Sequence, residues 1–247
     1  MTGAALPPSL RTAELAHRRA QSGGCPADSI AWALGQLEEG TDATSVTQLA
    51  SFGLEADPEP HAVEGALAAC LTELGIELHD DDEYAALLGL ASDIATRLID
   101  GDLDTRDGLR RLLELLEDYE AWRVSVWDDL AEDIHALESA KPGHLFVNEG
   151  LTRANVDACI VSIAREFVFW LGRRLPRQFP RVRLCPSCRN VAPLGNWHDR
   201  VKLADCAACG AIDAAINMLH AECRATAFAS DESMAALEAA YHDSAGI

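Results

Sequence analysis

The residues best placed to do chemistry are cysteines, eight in all, of which four fall in two tight pairs. Cys185-Pro-Ser-Cys188 is followed, seventeen residues on, by Cys206-Ala-Ala-Cys209-Gly210. A C-x-x-C pair offers two thiolates from one turn, and a spacer of this length lets two such turns face each other. Four thiolates fill a tetrahedral Zn²⁺ site. The expected ligands are therefore Cys185, Cys188, Cys206 and Cys209, around one structural Zn²⁺. Such a site is coordinatively closed and leaves no position for water or substrate. Its role would be to hold together a unit too small to build a core of its own. His198 lies in the spacer and is read as a surface residue, because four cysteines already complete the site. Redox use of the two pairs is the other chemistry open to them.

The same stretch concentrates positive charge. Arg173, Arg174, Arg177, Arg181, Arg183, Arg189, Arg200 and Lys202 face a single acid, Asp199, giving +7 in a chain whose total is −20. Four thiolates on Zn²⁺ would lower this to about +5. Trp197 sits among these charges and could stack on a base. Nucleic-acid contact through Arg183, Arg189, Trp197, Arg200 and Lys202 is one expectation. The competing expectation is that these cations pair with acidic helices of the same chain.

Other clusters point elsewhere less well. The run 100–104 is rich in aspartate, but an EF-hand loop starting at Asp100 needs glycine where Thr105 stands and glutamate where Arg111 stands. A helix stop followed by a helix cap accounts for the aspartates. The acidic run 79–83 reads as charge placed ahead of a helix N-terminus. Asp128, Asp129, Glu132, Asp133 and His135 crowd one helix, but a di-iron bundle needs Glu-x-x-His from two helices and only one copy is present. Cys25 follows two glycines without a nearby base. No Walker loop, Rossmann fingerprint, G-x-S-x-G or H-E-x-x-H occurs. No catalytic residue and no organic cofactor is expected.

The elements that must position the cysteines are mostly helices. Apolar residues at helical spacing predict helices over 9–20, 28–40, from Thr44, 61–74, 84–99, from Asp104 or Thr105, and 122–137. Lys141-Pro142-Gly143-His144 is the clearest break. A helix starting at Thr152 or Asn155 carries apolar residues nearly all round and is expected to be buried on most faces. Short strands are expected at 182–184, 191–194 and 201–203 around the metal, then helix again through Ile212, Ala215, Ile216 and Leu219, and a last helix over 233–241. The fold class is thus mainly α: an antiparallel multi-helix array or bundle with a Cys₄ zinc ribbon inserted near the C-terminus. The domains read as an acidic helical array, 1–140, and a second part, 144–247, holding the long helix, the ribbon and two C-terminal helices. The paired knuckles are similar to zinc-ribbon modules in general, over residues 181–210, which implies a metal and no particular activity.

Charge, hydropathy and the N-terminal residues give the remaining expectations. There is no basic-then-apolar leader, and the most apolar stretch, 154–171, is interrupted by Arg165 and Glu166. A cytoplasmic, non-membrane protein is expected. A charge of −20 argues against broad nucleic-acid or anionic-membrane binding and suits a basic protein partner. The function expected is a non-enzymatic adaptor, inhibitor or immunity-type protein that binds its partner through acidic helical surface. The alternative is a nucleic-acid-associated regulator acting through the arginine-rich ribbon.

Overall fold

Short amphipathic runs closed by glycine or capped by a carboxylate become ten helices among the described residues, with one small sheet near the C-terminus. The structure, a computed structural model, describes residues 11–78, 80, 82–117, 125–139, 145, 147–176, 178–194, 201–228 and 230–245. Ser9, His79, Trp122, the break at 141–144, Arg177, Trp197, His198, Asp199 and Arg200 lie outside them. The chain forms two compact units, Met1–Asp93 and Ile94–Ile247.

The first unit contains α1 (Thr12–Ser22), α2 (Pro26–Glu38), α3 (Thr44–Ser51), a 3-10 turn (Phe52–Leu54), α4 (Pro60–Leu74) and the start of α5 (Glu83–Asp100). Pro60 suits the first turn of α4 because its missing N–H would have no partner there, and Glu59 caps the turn by accepting from the Ala62 N–H at 2.7 Å. Asp82 does the same for α5, accepting from the Tyr84 and Ala85 N–H groups. The apolar faces meet in a core of Leu15, Trp32, Val46, Leu49, Val63 and Leu67. Trp32 satisfies its buried indole N–H on the Thr12 hydroxyl at 3.0 Å. Arg19 ties α1 to α4 through a bidentate pair with Glu64, and bonds Asp80 at 2.7 Å.

The second unit contains the rest of α5, then α6 (Thr105–Glu117), α7 (Ser125–Glu138), α8 (Val156–Leu171), a four-stranded sheet, α9 (Ala221–Phe228) and α10 (Asp231–Ala245). Asp104 caps α6, accepting from the Arg106 and Asp107 N–H groups at 3.0 and 3.1 Å. α6 packs on α7 and α8. Edge-to-face aromatics link Trp127 of α7 to Phe167, Phe167 to Trp170 of α8 and Trp170 to Phe179 ahead of the sheet, and a tilted contact joins Phe179 to Phe228 of α9. Buried Asp133 of α7 holds the segment before α8, accepting from the Val147 and Asn148 N–H groups and the Asn148 amide.

The strands are β1 (Val182–Leu184), β2 (Val191–Pro193), β3 (Leu203–Ala204) and β4 (Ala215–Asn217), all antiparallel, in the order β2-β1-β4-β3. β1 pairs Arg183 with Ala192 and with Asn217, so two hairpins join through their inner strands. β4 corrects the sequence reading, which expected helix through 212–219. Ala215 and Asn217 point inward and Ile216 less so, a period of two that eight residues do not distinguish from helical spacing. β4 also completes backbone pairing on both sides, to β1 and β3, and helix resumes only at Ala221. The third strand lies at Leu203–Ala204 instead of 201–203. α8 is buried or half-buried over most of its surface, and one stripe of it stays exposed.

Candidate metal centre

Each hairpin turns through one cysteine pair. In the first, β1 runs directly into Cys185. The Cys185 N–H donates to the Asn190 carbonyl at 2.9 Å, and the Arg189 N–H returns to the Cys185 carbonyl at 2.7 Å. In the second, Cys206 donates to the Ala211 carbonyl at 2.9 Å and Gly210 returns to the Cys206 carbonyl at 2.7 Å. The two knuckles are the same turn built twice. Asp205 steadies the second by accepting from the Asp213 N–H at 3.1 Å.

All four sulfurs lie within 4.8 Å of one another. Across the knuckles, Cys185 Sγ is 3.8 Å from Cys209 Sγ and Cys188 Sγ is 3.6 Å from Cys206 Sγ. A tetrahedron with metal–sulfur bonds of about 2.3 Å has sulfur–sulfur edges of roughly 3.8 Å. The cluster therefore has the size of a Cys₄ metal site, and four cysteines this close could hold a metal ion. Cys185 and Cys206 are buried against Ala215, while Cys188 and Cys209 face outward.

The turn geometry also prepares the sulfurs electrically. The Cys209 and Ala208 N–H groups point at Cys206, and with neighbouring thiols they pull it down to about 7. The Asn190 N–H favours the thiolate of Cys188, but desolvation and the three other thiols outweigh it and push Cys188 up to about 12. Four sulfurs this close do not all ionise alone, because each added thiolate repels the next; a dication removes that penalty. Among the described residues no second group of three or more His, Cys, Asp or Glu side chains is placed to hold a metal.

The remaining candidates fall in varied settings. Lys202 bonds Glu149 at 2.9 Å and Glu222 at 3.0 Å, and these two carboxylates hold its ammonium well above the ordinary lysine range. Arg189 lies 3.8 Å from Glu232, with both side chains exposed. Arg183 is half-buried on β1. Trp197 and Arg200 fall outside the described residues. Two of the carboxylates of α7 are engaged structurally, Asp129 by Arg181 at 3.3 Å and Asp133 by the backbone beyond the helix. Cys25 precedes α2 as its N-terminal flanking residue and is exposed.

Two residues that position the site carry little sequence signal. Asn217 is fully buried in β4, donates its amide to the Val201 carbonyl at 3.2 Å and accepts from the Leu219 N–H at 3.0 Å. Arg224 is 1% exposed, makes two bonds to Glu166 and donates to the Met218 and Leu219 carbonyls just after β4. A polar residue inside an apolar run is the one hint that either is buried. Comparison with protein families, curated proteins and solved structures found no match to this chain.

Proposed function

We propose that the protein is a non-enzymatic interaction protein in which a structural Zn²⁺ stabilises the ribbon and the first unit captures a basic protein partner. The observation that carries the reading is the charge of that unit. Met1–Asp93 contains sixteen acidic residues and three arginines, a net charge of −13. All three arginines are already paired within it: Arg11 with Glu39 and Asp93, Arg18 with Asp28, and Arg19 with Glu64 and Asp80. Its unit also has a cleft of ≈ 370 Å³ lined by Glu39, Glu77 and Asp93, with small residues between and Arg11, the partner of Glu39 and Asp93, at its wall. Opposite charge of this size speeds capture of a basic surface. Zinc is preferred for the ribbon because four thiolates in a tetrahedron suit it and leave the ion no open position. A cytoplasmic, reducing compartment would keep the thiols available to it; among the described residues no helix is long and apolar enough to cross a membrane.

Against the nucleic-acid alternative stands the pairing of Lys202 and Arg189 with carboxylates of their own chain. A tagged pull-down from native extract, with and without nuclease, tests the choice. The expected result is a stoichiometric basic protein that survives nuclease and is weakened by Glu39→Gln with Glu77→Gln. Nucleic acid that copurifies and is released by moderate salt would overturn the reading.

A further inference from the structure

The stripe that α8 leaves exposed has an order to it. Ala158, Ser162, Arg165 and Phe169 are all exposed and follow at steps of four, three and four, the spacing of a helix–helix seam. Arg173, just past the helix end, extends the stripe by laying its guanidinium over the Phe169 ring, 4.8 Å from the centroid. Phe169 is 44% exposed and meets Phe228 edge to face at 5.8 Å. A large apolar ring held in place by two neighbours, with nearly half its surface in water, is a preformed contact point.

The charge is equally unusual. Acidic residues outnumber basic ones 40 to 20, so most cations find a carboxylate close by. In this same unit Arg181, Arg189, Lys202 and Arg224 all do. Among the described residues Arg97 and Arg111 are half-buried without such a pair, and Arg153 is spent on the Leu137 carbonyl; Arg165, Arg173 and Arg174 are exposed, and among the described residues no carboxylate lies within ion-pair distance of them. Three exposed arginines grouped on one helix end, in a chain with carboxylates to spare, look outward for their counter-charge. At the other end of the stripe, Ala158 and Ser162 line a groove of ≈ 350 Å³ with Val147, Leu151 and two carboxylates, Glu149 and Glu222, that Lys202 already pairs. From Ala158 to Arg173 the stripe runs about 22 Å, the length of roughly fifteen helical residues.

We propose that this stripe is a docking face for an acidic amphipathic helix of a protein partner. One apolar side chain of that helix enters the groove at Ser162 and a second packs on Phe169. Its Asp or Glu side chains, on the neighbouring turns, reach Arg165, Arg173 and Arg174. Single-stranded nucleic acid fits less well. Phe169 already has one ring face under Arg173, and an extended polyanion would soon run past three arginines onto a chain of net −20. The proposal goes beyond the acidic first unit: it adds a second surface, of opposite sign, on the other unit.

The test uses the full-length, metal-loaded protein and a fluorescein-labelled synthetic helix of about 20 residues, long enough to form one turn after another in water, built from Leu and Glu at seam spacing. Anisotropy should show saturable binding at low salt. Reversing Arg165, Arg173 and Arg174 together to Glu should weaken it about tenfold or more, and leave a matching Leu/Lys peptide unaffected or bound more tightly. Ser162→Trp, which fills the groove from an exposed position, should weaken it as well without changing the fold, as circular dichroism would verify. Failure of the wild-type protein to bind the Leu/Glu helix would overturn the proposal, as would binding by both variants as tight as that of the wild type. Tighter binding of a single-stranded oligonucleotide, lost on the same arginine reversal, would overturn it in favour of nucleic acid. Dimerisation abolished by that reversal would overturn it in favour of a second copy.

Discussion

Arg189 and Gly210 occupy the same place in the two cysteine knuckles. Each follows the second cysteine of its pair and each donates its N–H to the carbonyl of the first at 2.7 Å. Each has a left-handed backbone, with φ of 58° at Arg189 and 72° at Gly210. Glycine adopts that conformation freely, while a residue with a Cβ is held there at a cost of about 1–2 kcal/mol. The chain thus meets one turn requirement with the favoured residue in the second knuckle and against local preference in the first.

Substitutions at these two positions should therefore act in opposite directions. Gly210→Ala should destabilise the metal-loaded protein by about 1–2 kcal/mol. Arg189→Gly should cost nothing or raise the melting temperature, since the ion pair it gives up, 3.8 Å from Glu232 with both partners exposed, contributes little. Thermal denaturation of both variants checks this. Equal losses would mean that the Arg189 side chain, and not its backbone, decides the first knuckle.

Metal binding should depend on pH with a definite sign. Without a metal, Cys188, pushed up to about 12, keeps its proton near neutrality, while Cys206, pulled down to about 7, is partly ionised. A bound dication needs both as thiolates, so binding expels protons and affinity falls as pH falls. The dependence should steepen below about pH 7, where Cys206 also takes up a proton. Competition against a chromophoric chelator across this range gives the slope, and calorimetry in buffers of different ionisation heat counts the protons. Cys185→Ser or Cys206→Ser should abolish tight binding; full metal content in either variant would refute the ligand set.

Gly108 offers a test of packing. It is buried in α6, and a Cβ placed on it would overlap the Leu98 side chain, itself 2% exposed in α5. In an exposed helix Gly→Ala stabilises by about 1 kcal/mol. Here Gly108→Ala should instead cost about 1–3 kcal/mol in urea unfolding, because Leu98 has to move within a filled core. Shortening Leu98 to Ala in the same chain should recover part of that loss, a coupling that independent sites would not show.

What the sequence makes legible follows from how local each signal is. The knuckles are readable because thiolate spacing is a covalent constraint within four residues, and most helices because Leu, Val and Ala recur at 3.6 over ten residues or more. β4 is not readable, since Ile212, Ala215, Ile216 and Leu219 match a helix as well as a strand over so short a window. Only its pairing with β1 and β3 decides between them, and that is tertiary. The open stripe of α8 is hidden for a related reason: apolar residues nearly encircle that helix, and composition does not reveal which face its neighbours leave uncovered. Partners of single cations are the least legible. Nothing local joins Lys202 to Glu149, or Arg181 to Asp129.

Arg224 is the residue in the second unit whose loss should be felt most. Its guanidinium is 1% exposed and lies 5.2 Å from the Trp170 ring centroid. It binds both carboxylate oxygens of Glu166 on α8, at 2.7 and 3.2 Å, and the Met218 and Leu219 carbonyls at 3.1 and 2.5 Å. One side chain thereby satisfies the backbone where β4 leaves the sheet and anchors it to α8. Arg224→Met should strand a carboxylate and two carbonyls, costing about 3–5 kcal/mol. Arg224→Lys keeps the charge but not the planar fork, so it should recover only a fraction. Glu166→Gln should cost least, because the Glu166 side chain is 19% exposed and water can replace part of the bond. Since the freed backbone continues directly from the inner strand of the second knuckle, Arg224→Met should also speed metal loss to a chelator. Urea unfolding gives the order of the three variants and stopped-flow chelation the rate. An Arg224→Met variant within about 1 kcal/mol of wild type, with unchanged metal release, would show that the β4–α8 junction is held by packing alone.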